Sequence, residues 1–249
     1  IAMAKKTGAR LHVFHLSTKE EAKLFDNQND LKNKKITSEV CIHHLSFNDA
    51  DYKTKGNFIK WNPSIKTIED QNALWDALRS DKIDVIATDH APHTFNEKNQ
   101  LYVDCPSGGP LVQHSLYIMY EHFLEKRISL EKIVEKMCHN PAILFNIKKR
   151  GFIREGFFAD LVILRKNQSW VINKNNILYK CGWSPFEGKK INSMITHTFV
   201  SGNLAYENGV FNQNIMGKKI EFNSLTKSFF YYFYSLFHVT TIQKLMMTL

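Results

Sequence analysis

The order of apolar segments in the first ninety residues limits the fold more than any other feature of this chain. "RLHVFHLST" is short and rich in strand-forming residues, and it predicts a buried strand over residues 10–15 with His15 at its end. "STKEEAKLFDNQND" follows as a helix, with Ser17 or Thr18 as N-cap and Glu20 and Glu21 in the first turn. A second strand, "KITSEVCIHHL", comes next, then a long polar loop running to "NFIKWNPSIK". "TIEDQNALWDALRS" is amphipathic, with Leu74, Ala77 and Leu78 on one face, and "KIDVIATDH" is a third strand. No hairpin turn separates these strands. Strands joined through helices in this way form a parallel sheet, which places the chain in the α/β class.

The polar residues of these strands gather at one position. Each apolar run ends in ionisable groups: His15, then His43 and His44, then Asp89 and His90. Ligand-handling groups collect at the C-terminal ends of strands in parallel sheets and barrels. A carboxylate closing the run "DVIAT" needs a cation or several donors to offset its desolvation. Read as strand neighbours, His43 and His44 point to opposite faces, so only one would look into a site. His93, beyond Pro92, lies on the following loop and can reach over a ligand. Asn62 in "KWNPS" carries an amide that both donates and accepts, suited to a planar amide or imide, although Asn-Pro is also ordinary turn chemistry. Glu39 is a carboxylate in an otherwise uncharged strand, either paired or aimed at the same site. The loop "PSGGP", with Ser107 and Gly108, can offer backbone N–H groups to an anion.

Beyond residue 111, "VQHSLYIMYEHFLEKR" and "SLEKIVEKMCHNPAILF" read as two helices, the second capped by Ser129. From "RGFIREGFFADLVIL" onward the texture changes to short strands and turns, including the Ser-Gly-Asn and Asn-Gly of "THTFVSGNLAYENGVF". A boundary near residue 150 therefore separates an α/β region (1–150) from a β-rich module (151–222), with an atypical aromatic tail over 223–249. Residues 228–243 of that tail contain no Asp, Glu, Lys or Arg, but they fall short of the roughly 20 apolar residues that span a bilayer. The tail reads as an appendage and no membrane partner is expected.

The net charge of +9 raises nucleic acid as a partner, but the lysines are scattered through "KNKK", "YKTKG" and "IKKR" rather than interleaved with aromatics. They read as solvated faces, and no nucleic-acid partner is expected. Four cysteines lie far apart without a C-x-x-C pair, which argues against a zinc ribbon or a disulfide scaffold and for a reducing, cytoplasmic setting. The chain does not begin with Met, and "IAMAKKTGARLHVFH" reads as the last turns of a helix entering a strand, as though entered in mid-fold.

Taken together, "LHVFHLSTKE", "TSEVCIHHL", "KWNPSIKTIEDQNALWDAL", "IDVIATDHAPHTFNEK" and "RGFIREGFFADLVIL" resemble consecutive motifs of the dihydroorotases, zinc enzymes of the amidohydrolase superfamily. The resemblance runs from about residue 1 to about residue 222. It implies a (β/α)8 barrel with a binuclear zinc site, of which this chain holds about the sixth to eighth strands, and a β-rich domain. His15 matches the ligand histidine at the end of the sixth strand, and Asp89 the eighth-strand aspartate that binds zinc and acts as general base. Asn62, His93 and the Ser107–Gly108 loop match substrate contacts, and Glu39 a carboxylate near the metals. The implied reaction is the reversible conversion of dihydroorotate to N-carbamoyl-L-aspartate in pyrimidine biosynthesis. Hydantoinases and allantoinases share the scaffold and are the alternative, as is a non-catalytic binding relative.

The departures are Phe14 before the ligand histidine, Ile42 where Pro commonly precedes the paired histidines, and Cys105 at the start of the Gly loop. More is missing than altered. The family's first-strand His-x-His and the Arg after it are absent, as are the bridging carboxylated Lys or Asp and the fifth-strand His. Of the resemblance's metal ligands His15 and Asp89 remain, whereas zinc takes about three or four protein ligands. The expectation is a chain of marginal stability with open parallel edges, inactive alone, and completed by an N-terminal segment or by other copies.

Overall fold

The computed structural model describes residues 1–27 and 30–223. The aromatic stretch 228–243 lies outside the described residues. A helix over Ala2–Thr7 ends at Gly8, whose φ of 72° is the left-handed conformation that a helix stop of this kind needs. Three strands follow: β1 (Leu11–Val13), β2 (Ile36–Cys41) and β3 (Val85–Ala87). They form one sheet in the order β1-β2-β3, with Leu11 opposite Ile36, Cys41 opposite Ala87, and both pairs parallel. β2 is buried on both faces from Thr37 to Cys41, as expected of a central parallel strand.

The crossover from β2 to β3 carries the helix Ile68–Arg79. Thr67 caps it by accepting from the Asp70 N–H, while the Asp70 carboxylate accepts from the Thr67 N–H, a reciprocal box that fixes the first turn. Leu74, Trp75, Ala77 and Leu78 are buried, and the Trp75 indole donates to the Leu45 carbonyl at 3.0 Å. Three of these four are read from periodicity; Trp75 joins them because its N–H finds a buried acceptor.

Below the sheet lies a buried ion pair. Lys34 Nζ and Asp84 Oδ1 are 2.7 Å apart, and Asp84 Oδ2 accepts from the Ser38 N–H at 3.0 Å. Asn140 Nδ2 donates to the Asp84 backbone carbonyl at 2.7 Å. Burial raises the Asp84 carboxyl above its ordinary value, against the opposing pull of Lys34. The pair ties the entry of β3 to β2 and to the chain near residue 140.

Local geometry departs from the sequence reading in three places. Thr18 is the cap after β1, with Glu21 completing the box, but the helix runs only Lys19–Ala22. The chain after Ser129 starts as a helix over Leu130–Val134, passes through a π turn at Glu135–His139 and resumes over Asn140–Leu144. Pro141 has no N–H to give to the preceding turn, which accounts for a wider turn just before it. His43 and His44 are not strand residues: the backbone leaves β2 at Cys41 and enters a helical turn over Ile42–Ser46. Adjacent side chains on a helical turn are about 100° apart, so both rings can be buried together.

The β-rich region forms a four-stranded antiparallel sheet, β4 (Leu161–Val171), β5 (Lys190–Val200), β6 (Asn203–Glu207) and β7 (Val210–Phe211), in that order. Ser201-Gly202 and Asn208-Gly209 turn its hairpins in left-handed backbone. The helix Ser115–Leu124 joins it to the first sheet. Tyr117 accepts from the Ile195 N–H at 3.1 Å, and Glu121 accepts from Asn192 N and Nδ2 at 2.7 and 2.8 Å. Ile172, Phe186, Ile191 and Ile195 lie in the same apolar cluster as Leu74, Trp75 and Leu78, so one core runs across residue 150. Among the described residues no helix is long and apolar enough to cross a membrane.

Two outcomes follow from buried ionisable groups. Asp84→Ala strands Lys34 in the core and is expected to lower stability by about 3–5 kcal/mol in urea unfolding, whereas Lys34→Met with Asp84→Leu recovers most of the loss. His114 is buried, with Nδ1 3.0 Å from Ser184 Oγ, and burial lowers its pKa from 6.5 to about 3. The unfolded chain therefore binds the extra proton between those values. Stability should be complete above pH 6.5 and decline on acidification toward pH 3, by up to about 1.4 kcal/mol per pH unit from this group. His114→Gln should flatten that slope in pH-dependent denaturation.

Candidate metal and substrate site

His15 follows β1 and Asp89 follows β3, so the parallel ladder brings both to one end of the sheet. Both are held in left-handed backbone, with φ of 39° and 47°. A non-glycine residue there costs on the order of 1 kcal/mol and persists where surrounding structure demands it, a pattern common at functional sites. Each is half-buried. Between them stands the end of β2, with Cys41, His43 and His44 all buried. The His43 and His44 rings are 4.2 Å apart, and His43 stacks on Trp61 at 4.4 Å with only 10° between planes.

Electrostatics join these groups. Burial lowers the His44 imidazole to about 4, with His15 pushing the same way and Asp89 against it. The His43 imidazole is held well below its ordinary value, by burial first and then by His44 and His15. The Cys41 thiol is raised by burial, Glu39 and Asp89. His15, Asp89 and the paired histidines thus share one neighbourhood at ordinary pH, with His43 and His44 neutral.

Glu39 is buried on β2, and its Oε2 meets His12 Nε2 at 3.1 Å while Oε1 has no hydrogen-bond partner. His12 Nδ1 lies 2.9 Å from Thr37 Oγ1, its opposite number in the ladder. His12 was missed from the sequence. Its signal was an imidazole within the strand beside a lone carboxylate in the neighbouring strand.

The substrate-side candidates sit on three loops tied together. Asn62 is exposed, next to buried Trp61 and before a cis peptide to Pro63. His93 Nε2 donates to the Ser107 carbonyl at 3.0 Å, and the Trp183 indole donates to the His93 carbonyl at 2.8 Å. Ser107 is exposed and Gly108 buried. The Gly108 N–H donates to the Lys60 carbonyl at 2.9 Å, and Lys98 Nζ donates to that carbonyl and to Pro106 O at 3.2 and 2.9 Å. Gly108 has φ 121°, and a Cβ there would lie 2.6 Å from the Ala91 carbonyl oxygen. Only glycine allows this approach. Fully buried Lys98 and the clamp it forms had no signal in the local pattern, where it stands on a short polar turn.

His15 and Asp89 offer an imidazole and a carboxylate, which suit two positions of a zinc site. The described residues add no third carboxylate or imidazole to that pair in the pattern of the resemblance. At the end of β2, between the two, stand Cys41, His43 and His44, whose ligand atoms all lie within 4.8 Å of one another.

Residues 2–205 match the sequence profile of the amidohydrolase family. The dihydroorotase of Carboxydothermus hydrogenoformans is 36% identical over 208 residues, which cover 83% of this chain and 48% of that protein. The dihydroorotase of Deinococcus radiodurans is 36% identical over 202 residues, covering 80% of this chain and 47% of that protein. The chain spans about half the length of the curated relatives it matches. Among solved structures, the L-hydantoinase (dihydropyrimidinase) from Arthrobacter aurescens superimposes with a TM-score of 0.77 at 28% identity, over 85% of this chain and 48% of that one. A D-hydantoinase from a Bacillus species, AR9, gives 0.75 at 22% identity over the same shares, a likeness of fold. With its parallel strands, the histidine and aspartate at their ends and a profile match over most of its length, the chain belongs to the amidohydrolase family.

Proposed function

We propose that this chain supplies one side of a dihydroorotase site, as the sixth to eighth strands of a (β/α)8 barrel (residues 1–150) followed by a β-rich segment (151–222). The observation that carries the proposal is the pairing of His15 and Asp89 at one end of a single parallel sheet, each in left-handed backbone. The identity to proteins named dihydroorotase supports this substrate class over others. The remaining ligands come from a complementing segment or another copy, so the chain alone is inactive.

His15 and Asp89 would hold zinc in this reading. When bound, the metal polarises the ring amide carbonyl and acidifies water. Asp89 takes the proton from the attacking water and returns it to the ring nitrogen as the C–N bond breaks, giving N-carbamoyl-aspartate; cyclisation is the reverse. Asn62 presents a donor and an acceptor to the imide edge of the ring. His93, its ring oriented by Ser107, and the backbone at Gly108 hold the substrate in a reactive pose. Glu39, paired with His12, steadies the floor of the site.

Supplying in trans a polypeptide with the first-strand His-x-His and the fifth-strand His should produce zinc-dependent hydrolysis of dihydroorotate. Asp89→Asn should then lower the rate by at least about a hundredfold. Gly108→Ala should raise KM for dihydroorotate roughly tenfold, about 1.4 kcal/mol, because the loop must move off Ala91. Turnover by the unsupplemented chain would refute the need for outside ligands. The likeness to solved hydantoinases favours hydantoin as the second substrate to assay, and preference for it would replace the first reading.

A further inference from the structure

We propose that Cys41, His43 and His44 form a metal site of their own, a buried thiolate–imidazole set for a zinc-like divalent ion, distinct from the His15–Asp89 pair. This inference does not depend on the proposed reaction. It starts from the way β2 ends. The strand stops at Cys41 and the chain enters the helical turn Ile42–Ser46, which turns the side chains at 41, 43 and 44 toward one another. Their ligand atoms all lie within 4.8 Å of one another, and relative exposures are 0%, 0% and 3%.

Within the cluster, three ring nitrogens are buried without a hydrogen-bond partner. His44 Nε2 donates to the Pro63 carbonyl at 3.1 Å, so its neutral ring carries the lone pair on Nδ1. That Nδ1 is buried without a hydrogen-bond partner. A ring nitrogen tied to a backbone carbonyl, with the other nitrogen open, is how metal-bound histidines are oriented. His43 has both ring nitrogens buried and unpartnered, while its ring face is held against Trp61. Leaving such polar atoms unmatched is unfavourable, and a metal would satisfy one on each ring at once.

The donor set selects the ion. Sulfur and two imidazoles suit zinc and its tetrahedral analogues and disfavour magnesium or calcium. Zn–S and Zn–N lengths near 2.3 and 2.0 Å put ligand atoms about 3.3–3.6 Å apart in a tetrahedral site. Closing from spacings of at most 4.8 Å therefore takes no more than roughly 1.5 Å, within reach of side-chain rotation. Three protein ligands leave a fourth position for water or a neighbouring donor. The His15–Asp89 pair contains no sulfur, and this difference separates the two sites experimentally.

The test is titration of the reduced, metal-free full chain with Co²⁺ under anaerobic conditions, read by absorption spectroscopy. Expected is a thiolate-to-cobalt charge-transfer band with tetrahedral d–d bands, saturating at about one ion per chain and erased by Zn²⁺. Cys41→Ser should abolish the charge-transfer band, and His44→Gln should weaken binding at least tenfold. His15→Ala and Asp89→Asn should retain the band, with circular dichroism confirming the fold of each variant. Absence of the band in the folded wild-type chain would overturn the proposal. So would its persistence in Cys41→Ser, which would assign it to another cysteine, or its loss in His15→Ala, which would make these residues part of the first site. If Cys41→Ser does not fold, the wild-type band and the His44→Gln titration decide.

Discussion

The parallel ladder of β1, β2 and β3 is the constraint on which the rest of this molecule depends. Parallel pairing sets all three strand ends on one side, and that alone gathers His15, Cys41 and Asp89 from positions scattered over seventy-odd residues. A hairpin connection would have placed alternate ends on opposite sides. The Lys34–Asp84 pair and the Asp84–Ser38 hydrogen bond hold the other end of β2 and β3 in register. A one-residue slip there would turn Cys41 and Glu39 to the opposite face.

Above the sheet the same logic works through loops. The Lys60 carbonyl accepts from both Gly108 N and Lys98 Nζ, so the segment bearing Asn62 is joined to the loops bearing His93 and Ser107. Lys98 has carbonyl oxygens around its ammonium group, at Lys60 and Pro106, and burial lowers its pKa. A polar loop held this way keeps an exposed Asn62 in place without burying it. The close approach at Gly108 and the stacking of Trp61 on His43 link this loop cluster to the paired histidines beneath.

The resemblance in the sequence and the profile match agree on the family, because strand-end motifs such as "IATDHAPH" combine rare residues at fixed spacing. The helix Ile68–Arg79, the cap at Ser129 and, to within one residue, the cap at Thr18 were legible because they depend on neighbours within about four residues. The short helix after Thr18 and the π turn before Pro141 were less so, since packing and one missing N–H outweighed helix propensity. The paired histidines were misplaced on a strand, because a continuous apolar run shows no sign of where it leaves the sheet.

By itself the sequence determined the alternation of strands and helices, the chemistry available at each strand end and the glycine at 108. These are short-range properties, written in periodicity, capping and residue type. Only the tertiary structure decided that Glu39 meets His12, that Lys98 is buried against Lys60 and Pro106, and that His43 and His44 face Cys41 together. Glu39 and His12 are 27 residues apart, and Lys98 and Lys60 are 38 apart. A buried polar group takes whichever partner the packed chain brings within hydrogen-bond reach, and that partner is set by the register of the sheet rather than by the neighbouring sequence.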